Sequence, residues 1–529
     1  MELHESSFVS LLSNLRSSTL YNELFVAAQE EAQKSNVRLS DLKKCVQSGL
    51  VSAGWDKKLR NAVYHIIQSQ YKLFKSSPLA SPESEKEPIA YILKAQFVWE
   101  KKILKSLNSM CTELTVPLAR SRSEKDKKDL AARWSELGVD GPAKICSSDL
   151  SQIRPVYAPK DFLEVLVGLQ NPNSANTGNM GTYDLPWGLI QVSLKVKTLN
   201  ELRVQYSEMA ITHCQTGTDD LPDIPPELFE NERSKLGKKV IAANHAPTAR
   251  EYSKRGCPVS MRADLWCQIL GVDLQNVDYL YYEQLKSYVL QHDLLVDSLL
   301  YKDVKLTATN DDQYFVFEDF LYQVLLPFSR DSVVLKHFVY NSATPPKSYI
   351  RGKLGIEEFA VTYPPNGVIP FHGFAMYVAP LCYLYNDVVR LYYVFRHMYV
   401  NYFFRLHSVS SHPQGIVALS LLFEKVLQAE EPELFYHLIQ VGCQPLKIAF
   451  KWLMRAFSGF LASDQVLLLW DRILAFDSME ILSVLAVAIF SFRKTNLLKV
   501  QCMSTAEAVL ADLFTLQIVP LLQLSLFSK

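Results

Sequence analysis

Paired cysteines and metal-ligand clusters are missing from this sequence, and their absence excludes two classes of protein. The nine cysteines include no C-x-x-C and no Cys/His cluster at metal-ligand spacing, so neither a structural zinc site nor a disulfide framework is indicated. Cys257 and Cys267 are the closest pair, but ten residues apart on one expected helix they should not bridge. We expect reduced cysteines in an intracellular protein, with no metal and no cofactor of its own.

An excess of charge of one sign is also missing. Lys+Arg and Asp+Glu both total 55, which gives a formal net charge of +0. Bulk attraction to nucleic acid or to an acidic membrane is therefore not expected, and only a local basic patch stays open. The segment 120–129 is not such a patch, because Glu124, Asp126 and Asp129 are interspersed among its cations. A solvated helix start is favoured there.

Long apolar runs and catalytic signatures are scarce as well. The longest apolar stretch, residues 482–492, is too short to span a bilayer, and the N-terminus MELHESSF does not resemble a signal peptide. The glycines of 171–188 lack the G-x-x-x-x-G-K-[ST] pattern of a phosphate-binding loop. The serines near His407 and His412 lack a G-x-S-x-G elbow. We expect a soluble protein in which both stretches are ordinary loops.

Helical periodicity dominates what is present. Glycine makes up only 3.6% of the chain (19/529), about half the usual ~7%. Apolar residues recur every three or four positions between residues 92 and 110, which predicts one buried helical stripe. Gly442 and Pro445 are typical of a helix end, and Asp477 with Glu480 resembles a capping pattern before the apolar run. The predicted fold class is all-α.

Composition divides the chain into four regions. Residues 1–135 read as a helical N-terminal region, which a Ser/Pro/Glu-rich linker interrupts at 76–88. Residues 136–247 are linker-rich and partly irregular. Residues 248–500 are denser in aromatic and aliphatic side chains and form the predicted main domain. Residues 501–529 are predicted as a C-terminal helix.

Two stretches of the main domain carry a family resemblance. RGCPVSMRADLWCQILG (255–271) places Gly256, Pro258, Arg262 and Trp266 at fixed offsets. From the residues alone, an Arg and a Trp four apart on a helix indicate a structural anchor, by cation–π contact or ion pair. The spacing resembles the opening motif of the TBC domain, the module of Rab GTPase-activating proteins. WLMRAFSGFLASDQVLLLWDRIL (452–474) resembles a later motif, in which Trp470-Asp471 ends an amphipathic helix.

Three further stretches are similar to one branch of that family, at residues 154–166, 292–308 and 366–382. The resemblance then covers most of the chain and implies a two-lobed, all-α domain preceded by a helical N-terminal region. It also implies a Rab-family GTPase as partner, with GTP and Mg²⁺ belonging to that partner. The protein would then contact membranes only indirectly, through the GTPase. Its expected location is the cytoplasm, and peripheral association with organelle membranes is a further option.

The family's usual chemistry requires two groups that this sequence does not retain. Such proteins supply an arginine from I-x-x-D-x-x-R and a glutamine from Y-x-Q to stabilise charge and align water. Here the first motif reads LYKDVKL: Asp303 matches the aspartate, but Leu306 stands at the arginine position. Lys305 is one position early, which turns it ~100° away on a helix. It would substitute only if the segment were a flexible loop.

The second motif is altered in the same way. Gly373 and Pro380 match family positions, which puts His372 at the glutamine position and Pro370 at the tyrosine. A neutral imidazole has one donor and one acceptor on opposite ring edges, so it aligns water less well than a carboxamide. We therefore predict weak or absent stimulation of GTP hydrolysis by this route. Packing roles for Leu306 and His372 are the simpler interpretation.

Two functions remain open at this point. One is an enzyme regulator that activates a Rab GTPase; the other is an effector or scaffold in membrane trafficking that binds a Rab without stimulating it. An arginine from elsewhere, such as Arg351 or Arg390, is a third route to activation. We also predict that Arg262 pairs with Asp303 and so fixes the altered motif against the first helix.

Overall fold

The computed structural model describes residues 2–34, 37–76, 86–116, 118–138, 153–169, 188–192, 194–218, 224–335, 347–350, 359–362 and 364–528. The predicted linker at 76–88 and the predicted loop at 171–188 fall mostly outside these residues. The four-region division of the chain stays a prediction.

Helices account for nearly all regular structure in the described ranges, which confirms the all-α prediction and the helical N-terminal region. The helices before residue 335 are α1 (Glu2–Ser17), α2 (Thr19–Ala32), α3 (Leu39–Ser52), α4 (Trp55–Ser76), α5 (Lys86–Leu114), α6 (Glu124–Ala132), α7 (Pro159–Val167), α8 (Leu199–Gln205), α9 (Pro226–Ala243), α10 (Ala246–Ser253), α11 (Arg262–Leu270), α12 (Asn276–Gln291), α13 (Leu295–Asn310) and α14 (Glu318–Arg330). Those after it are α15 (Val388–Asn401), α16 (Ile416–Glu430), α17 (Pro432–Gln440), α18 (Pro445–Met454), α19 (Ser463–Phe476), α20 (Glu480–Phe492), α21 (Lys494–Leu497), α22 (Met503–Val509) and α23 (Ile518–Phe527).

Short 3₁₀ helices and strands complete the described structure. The 3₁₀ helices are Ser207–Met209, Val259–Met261, Phe315–Phe317, Phe374–Tyr377, Ala379–Tyr383 and Phe403–Leu406. The strands form two antiparallel pairs, β1 (Ala119–Ser121) with β2 (His292–Leu294) and β3 (Lys347–Ile350) with β4 (Phe359–Thr362).

Helix α5 carries the stripe that the periodicity predicts. Its buried apolar residues are Ile92, Trp99, Ile103, Leu107 and Met110. Trp99 packs edge-on against Tyr157 at 5.2 Å between ring centroids, so the stripe faces the segment just before α7.

The four N-terminal helices attach to the rest of the protein through α4. Asn61 on α4 donates to the carbonyl of Asn244 at 2.7 Å and accepts from the backbone N–H of Ala246 at 3.1 Å. Asn244 ends α9 in the left-handed region (φ 45°), which leaves polar backbone groups that a neighbouring side chain must satisfy. One amide thus caps α9 and the start of α10.

The upstream region also contributes β1, which pairs with β2, the strand directly before α13. Ala119 pairs with Leu294 in the β1–β2 ladder. Buried Arg122 lies 3.3 Å from Asp293 and 3.7 Å from the fully buried Asp297, which also pairs with Arg330. Because buried charges are tolerated only when paired, this cluster fixes where α13 begins.

The predicted apolar run becomes α20, which is buried along almost its whole length and packs against α16 and α23. The capping prediction before it is wrong, since Asp477 ends α19 with φ 50° and Met479 precedes the first residue of α20. Gly442 follows α17 with φ 74°, which confirms that helix end. Residues 501–529 form two helices, α22 and α23, rather than the single one predicted.

The opening motif and the later motif meet at one buried carboxylate. Asp471 accepts from Arg262 Nε at 3.0 Å, from Trp266 Nε1 at 2.8 Å and from the backbone N–H of Cys257 at 3.1 Å. Arg262 Nη2 donates to the same carboxylate at 3.1 Å. All four residues are buried. We call Cys257, Arg262, Trp266 and Asp471 the Asp471 anchor; it has the structural ion-pair character that the sequence predicts.

Two predictions about these motifs are corrected. Arg262 does not pair with Asp303: its guanidinium is committed to Asp471, whereas the Asp303 carboxylate accepts backbone N–H groups of residues 373 and 375. Trp470 and Asp471 do not end a helix but lie inside α19, which continues to Phe476.

Gly256 and Pro258 shape the backbone that enters the anchor. Gly256 has φ 89°, and a Cβ there would lie 2.8 Å from the Arg472 guanidinium, so only glycine fits without displacement. Pro258 accepts from the N–H groups of Met261 and Arg262, and so starts the short 3₁₀ turn that leads into α11.

Candidate functional site

Leu306 and His372, the two predicted finger positions, border one surface groove. Both side chains are partly exposed. The groove, called the finger groove below, is lined by Ile153, Pro155, Leu299, Lys302, Asp303, Leu306, Pro370, Phe371 and His372. Residues 66 positions apart in sequence are therefore brought together by the fold, as a dual-finger site requires.

Asp303 joins the two motifs. Its carboxylate accepts from the backbone N–H of Gly373 at 2.6 Å and of Ala375 at 2.7 Å. It thereby caps the 3₁₀ helix that begins at Phe374, whose first N–H groups have no partner of their own. Burial raises the pKa of Asp303, while the two N–H bonds and the Arg455 guanidinium oppose that rise. This carboxylate positions the second motif.

His372 has its backbone fixed and its ring only partly engaged. Its N–H donates to the carbonyl of Tyr157 at 3.0 Å, and its carbonyl accepts from Arg455 Nη2 at 3.0 Å. The imidazole Nδ1 is buried, makes no hydrogen bond and lies 3.8 Å from Asp303 Oδ1. The side chain is 39% exposed. One ring edge thus faces the protein, and the ring is open to a partner only in part.

Arg455 is a residue of this site that sequence reasoning missed. It follows α18, and its guanidinium reaches the carbonyl of His372. Gly373 has φ 101°, and a Cβ there would lie 2.3 Å from Arg455 Nε, so the glycine makes room for the arginine. Burial lowers the pKa of Arg455, and Asp303 and Tyr377 oppose that effect. Arg455 lies inside the stretch 452–474 that resembles a family motif, but the resemblance assigns it no role, and only the fold reveals its contact with His372.

Lys305 is held away from the groove. The segment is helical rather than a flexible loop, so the condition for Lys305 to act as a substitute finger is not met. Its Nζ lies 3.2 Å from both carboxylate oxygens of Glu318, on α14. The same carboxylate accepts from the Tyr322 hydroxyl at 3.0 Å.

Of the other two candidate arginines, the structure describes only Arg390. Arg351 lies outside the described residues. Arg390 is exposed on α15, where its charge acts on Cys267 and Tyr279, and it is not among the described residues that line the groove.

A segment upstream of the main domain forms one wall of the groove. Ile153 is fully buried and its carbonyl accepts from Lys302, while Pro155 lines the groove. Tyr157 packs on Phe371 at 6.0 Å between ring centroids. The groove is therefore built jointly by residues 153–157 and by the predicted main domain, a joint construction that no sequence signal indicated.

The floor below the second motif is aromatic and contains a buried histidine. His407 contacts the rings of Phe371, Phe374 and Tyr377. Its Nε2 lies 2.9 Å from the Tyr399 hydroxyl. Burial lowers the pKa of His407 to about 3, so this ring is neutral at physiological pH. It is a packing residue rather than a titrating one near neutrality.

The chemistry available in the groove is limited. Leu306 supplies no charge, Lys305 is paired elsewhere, and Lys302 is bound to a carbonyl. Among the described residues that line the groove, His372 alone has a partly exposed side chain with a nitrogen that makes no hydrogen bond. Within the described ranges, no group of three or more His, Cys, Asp or Glu could hold a metal ion. None of the described helices combines the length and apolarity needed to cross a membrane.

Comparison with known proteins yields relatives of one kind. The model of the Rab-GTPase-TBC domain family matches residues 371–498. TBC1 domain family member 19 of Homo sapiens is 57% identical over 533 aligned positions, which cover 99% of each chain.

Two solved structures are also similar. The Chlamydomonas flagellar RabGAP TBC domain aligns with a TM-score of 0.41 and 16% identity, over 57% of this chain and 93% of its own. The Ypt/Rab-GAP domain of Gyp1p aligns with a TM-score of 0.39 and 13% identity, over 56% and 96%.

Proposed function

The chain belongs to the TBC-domain family of Rab GTPase-activating proteins, and from this membership we propose that it binds a Rab-family GTPase with the surface around the finger groove. The proposal rests on one observation: Leu306 and His372, far apart in sequence, line the same groove and are joined through Asp303. GTP and Mg²⁺ in this proposal belong to the bound GTPase. The setting that the family suggests is the cytoplasmic side of trafficking membranes.

We further propose that stimulation of GTP hydrolysis by the dual-finger route is weak or absent. An arginine finger contributes ~10³–10⁵ in rate by neutralising charge on the transferred phosphoryl group. Leu306 carries no charge, and the ammonium nearest to it in sequence is held by Glu318. Arg455 cannot take over without releasing the His372 carbonyl. His372 alone could orient water, with a geometry poorer than that of a carboxamide.

A nucleotide-dependent pulldown tests the binding part. The full chain would be presented with a panel of Rab GTPases loaded with a non-hydrolysable GTP analogue or with GDP. We expect retention of at least one Rab in its GTP form. The variant Leu306→Glu should lose that retention, because its carboxylate on the groove surface would repel the phosphates of the bound nucleotide. Leu236→Glu, at an exposed position on α9, is the matched control, because it adds the same charge away from the groove. Failure of every Rab to bind would refute the proposal.

The alternative function is a non-catalytic Rab effector or scaffold in membrane trafficking. This alternative is favoured because the described groove residues include no arginine, which also argues against activation of GTP hydrolysis. Phosphate release from the retained Rab separates the two. Stimulation that His372→Ala or Lys305→Ala abolishes would exclude the scaffold, and tight binding without stimulation would exclude the activator.

A further inference from the structure

Helix α5 has a second face that its packing does not use. Its apolar stripe is buried, whereas Lys94, Val98, Lys101 and Lys105 are exposed. At 100° per residue these four side chains fall within an arc of about 60° on the opposite side of the helix. They run along roughly 17 Å of its length. One side of α5 therefore serves the fold, and the other presents a narrow line of cations.

Apolar side chains stand among these cations. Phe97 is 58% exposed, Val98 56% and Leu93 38%, all within one and a half turns of Lys94. Scattered exposed apolar residues need no explanation, but a phenylalanine one turn from Lys94 and Lys101 forms part of a patch. We call Leu93, Lys94, Phe97, Val98, Lys101 and Lys105 the α5 patch.

Among the residues that the structure describes, no carboxylate pairs with the lysines of the patch. Glu100 is the single acidic residue between positions 88 and 112, and it is turned away, half-buried and hydrogen-bonded to Gln96. Lys94, Lys101 and Lys105 form no ion pair with any side chain that the structure describes. Since the whole protein has a formal net charge of +0, this concentration of positive charge is local. The balanced composition of the chain is compatible with such a local basic patch.

We propose that the α5 patch binds the surface of an anionic phospholipid membrane. Lysines attract acidic headgroups, and Phe97, Val98 and Leu93 are placed to enter the boundary between headgroups and acyl chains, with the helix lying in the membrane plane. A nucleic acid would use the cations and leave the apolar side chains without a role. A second copy of this chain packed symmetrically on the same face would oppose lysine with lysine. This site goes beyond the proposed function, in which membrane contact occurs only through the GTPase, and does not depend on it.

Vesicle flotation of the full chain tests this site. The probes are phosphatidylcholine vesicles with about 30% phosphatidylserine and vesicles of phosphatidylcholine alone. We expect partitioning onto the anionic vesicles that falls as salt is raised, and little onto the neutral ones. The triple variant K94Q/K101Q/K105Q should lose roughly a hundredfold in partitioning, and Phe97→Ser roughly tenfold.

Matched controls use exposed positions elsewhere. K235Q/K238Q/K239Q on α9 removes the same charge, and Phe514→Ser removes a phenylalanine that is 49% exposed; neither should change partitioning by more than about twofold. Unchanged thermal unfolding would show that each variant is folded. Absence of binding to anionic vesicles at low salt would overturn the proposal, as would equal losses from the α9 and α5 triple variants. Binding to an acidic protein without vesicle binding would also overturn it, in favour of a protein partner.

Discussion

The Asp471 anchor and the finger groove are the two places where this chain's family motifs come together, and they differ in how completely their polar groups are used. In the anchor, the Asp471 carboxylate accepts hydrogen bonds from an arginine, an indole N–H and a backbone N–H, all of which are buried. In the groove, His372 Nδ1 has no hydrogen bond and Leu306 offers none. The anchor thus uses all its polar groups within the fold, whereas the groove holds the two positions at which we propose that the family's fingers are replaced.

The two regions are also physically connected. Trp470, next to Asp471, donates from its indole to the carbonyl of Ala456 at 3.0 Å. Ala456 and Phe457 have φ values of 47° and 64°, uncommon for non-glycine residues, so their conformation depends on surrounding contacts. The preceding residue, Arg455, holds the carbonyl of His372. Trp470 on α19 therefore helps to position the groove, although it is far in sequence from Leu306 and His372.

Restoring both fingers should produce the largest change. With the Rab found by pulldown, L306R/H372Q should stimulate single-turnover GTP hydrolysis by ~10³ over the wild-type chain, or about 4 kcal/mol, because the pair would supply a cation and a water-aligning amide.

Lys305→Arg is the matched control for this gain. It introduces an arginine one position away that still faces Glu318, so it should leave the rate unchanged. If the double variant binds the Rab as the wild type does but gains no activity, the assignment of residues 306 and 372 to the finger positions is wrong.

Removing the anchor carboxylate should have the next largest effect. Asp471→Ala leaves the Arg262 guanidinium buried without its partner, which should lower the free energy of unfolding by about 3–5 kcal/mol in urea titration. Asp464→Ala, at an exposed position of the same helix, should change it by no more than about 0.5 kcal/mol. Similar losses for both variants would show that the anchor does not stabilise the fold.

Acid should weaken the floor of the groove through His407. Its folded pKa is about 3 against an ordinary 6.5, so below pH 6.5 the unfolded chain takes up a proton that the folded chain does not. Stability is therefore lost as pH falls from 6.5 towards 3, by about 2 kcal/mol at pH 5. His407→Phe should lose about that much less between pH 7 and pH 5 in paired urea titrations. An identical pH slope would contradict the account.

The smallest effect is expected at His372 itself. His372→Ala should change the free energy of unfolding by no more than about 0.5 kcal/mol, because the side chain is 39% exposed and its backbone contacts would persist. Thermal unfolding of the variant checks this. A loss of more than about 2 kcal/mol in the free energy of unfolding would contradict this expectation and would show that the His372 side chain stabilises the fold.

Much of the fold was predictable because helical periodicity is a local property. The stripe of α5 and the end of α17 followed from spacing and from Gly442 alone. The partner of Arg262 did not, because Asp303 and Asp471 are both carboxylates at family positions and only the three-dimensional arrangement distinguishes them. The prediction that Asp477 caps the start of α20 was wrong for a related reason. Its residue type suits a cap, but its φ of 50° places it at the end of the preceding helix.

For the site, the sequence supplied the motif positions and not their surroundings. Leu306 and His372 lie together in the structure, and Gly373 has the positive φ that accommodates Arg455. The roles of Arg455 and of residues 153–157 depend on contacts between segments separated by more than 80 residues. No pattern within a single sequence encodes such contacts, so the wall of the groove that residues 153–157 form could not be predicted.

Single-turnover phosphate release from the bound Rab tests the central claim most directly. With the wild-type chain at saturating concentration, we predict hydrolysis within about tenfold of the intrinsic rate of the GTPase, and the same rate with His372→Ala. Stimulation by ~10³ or more that His372→Ala removes would contradict the claim, because the groove would then hold working fingers despite Leu306.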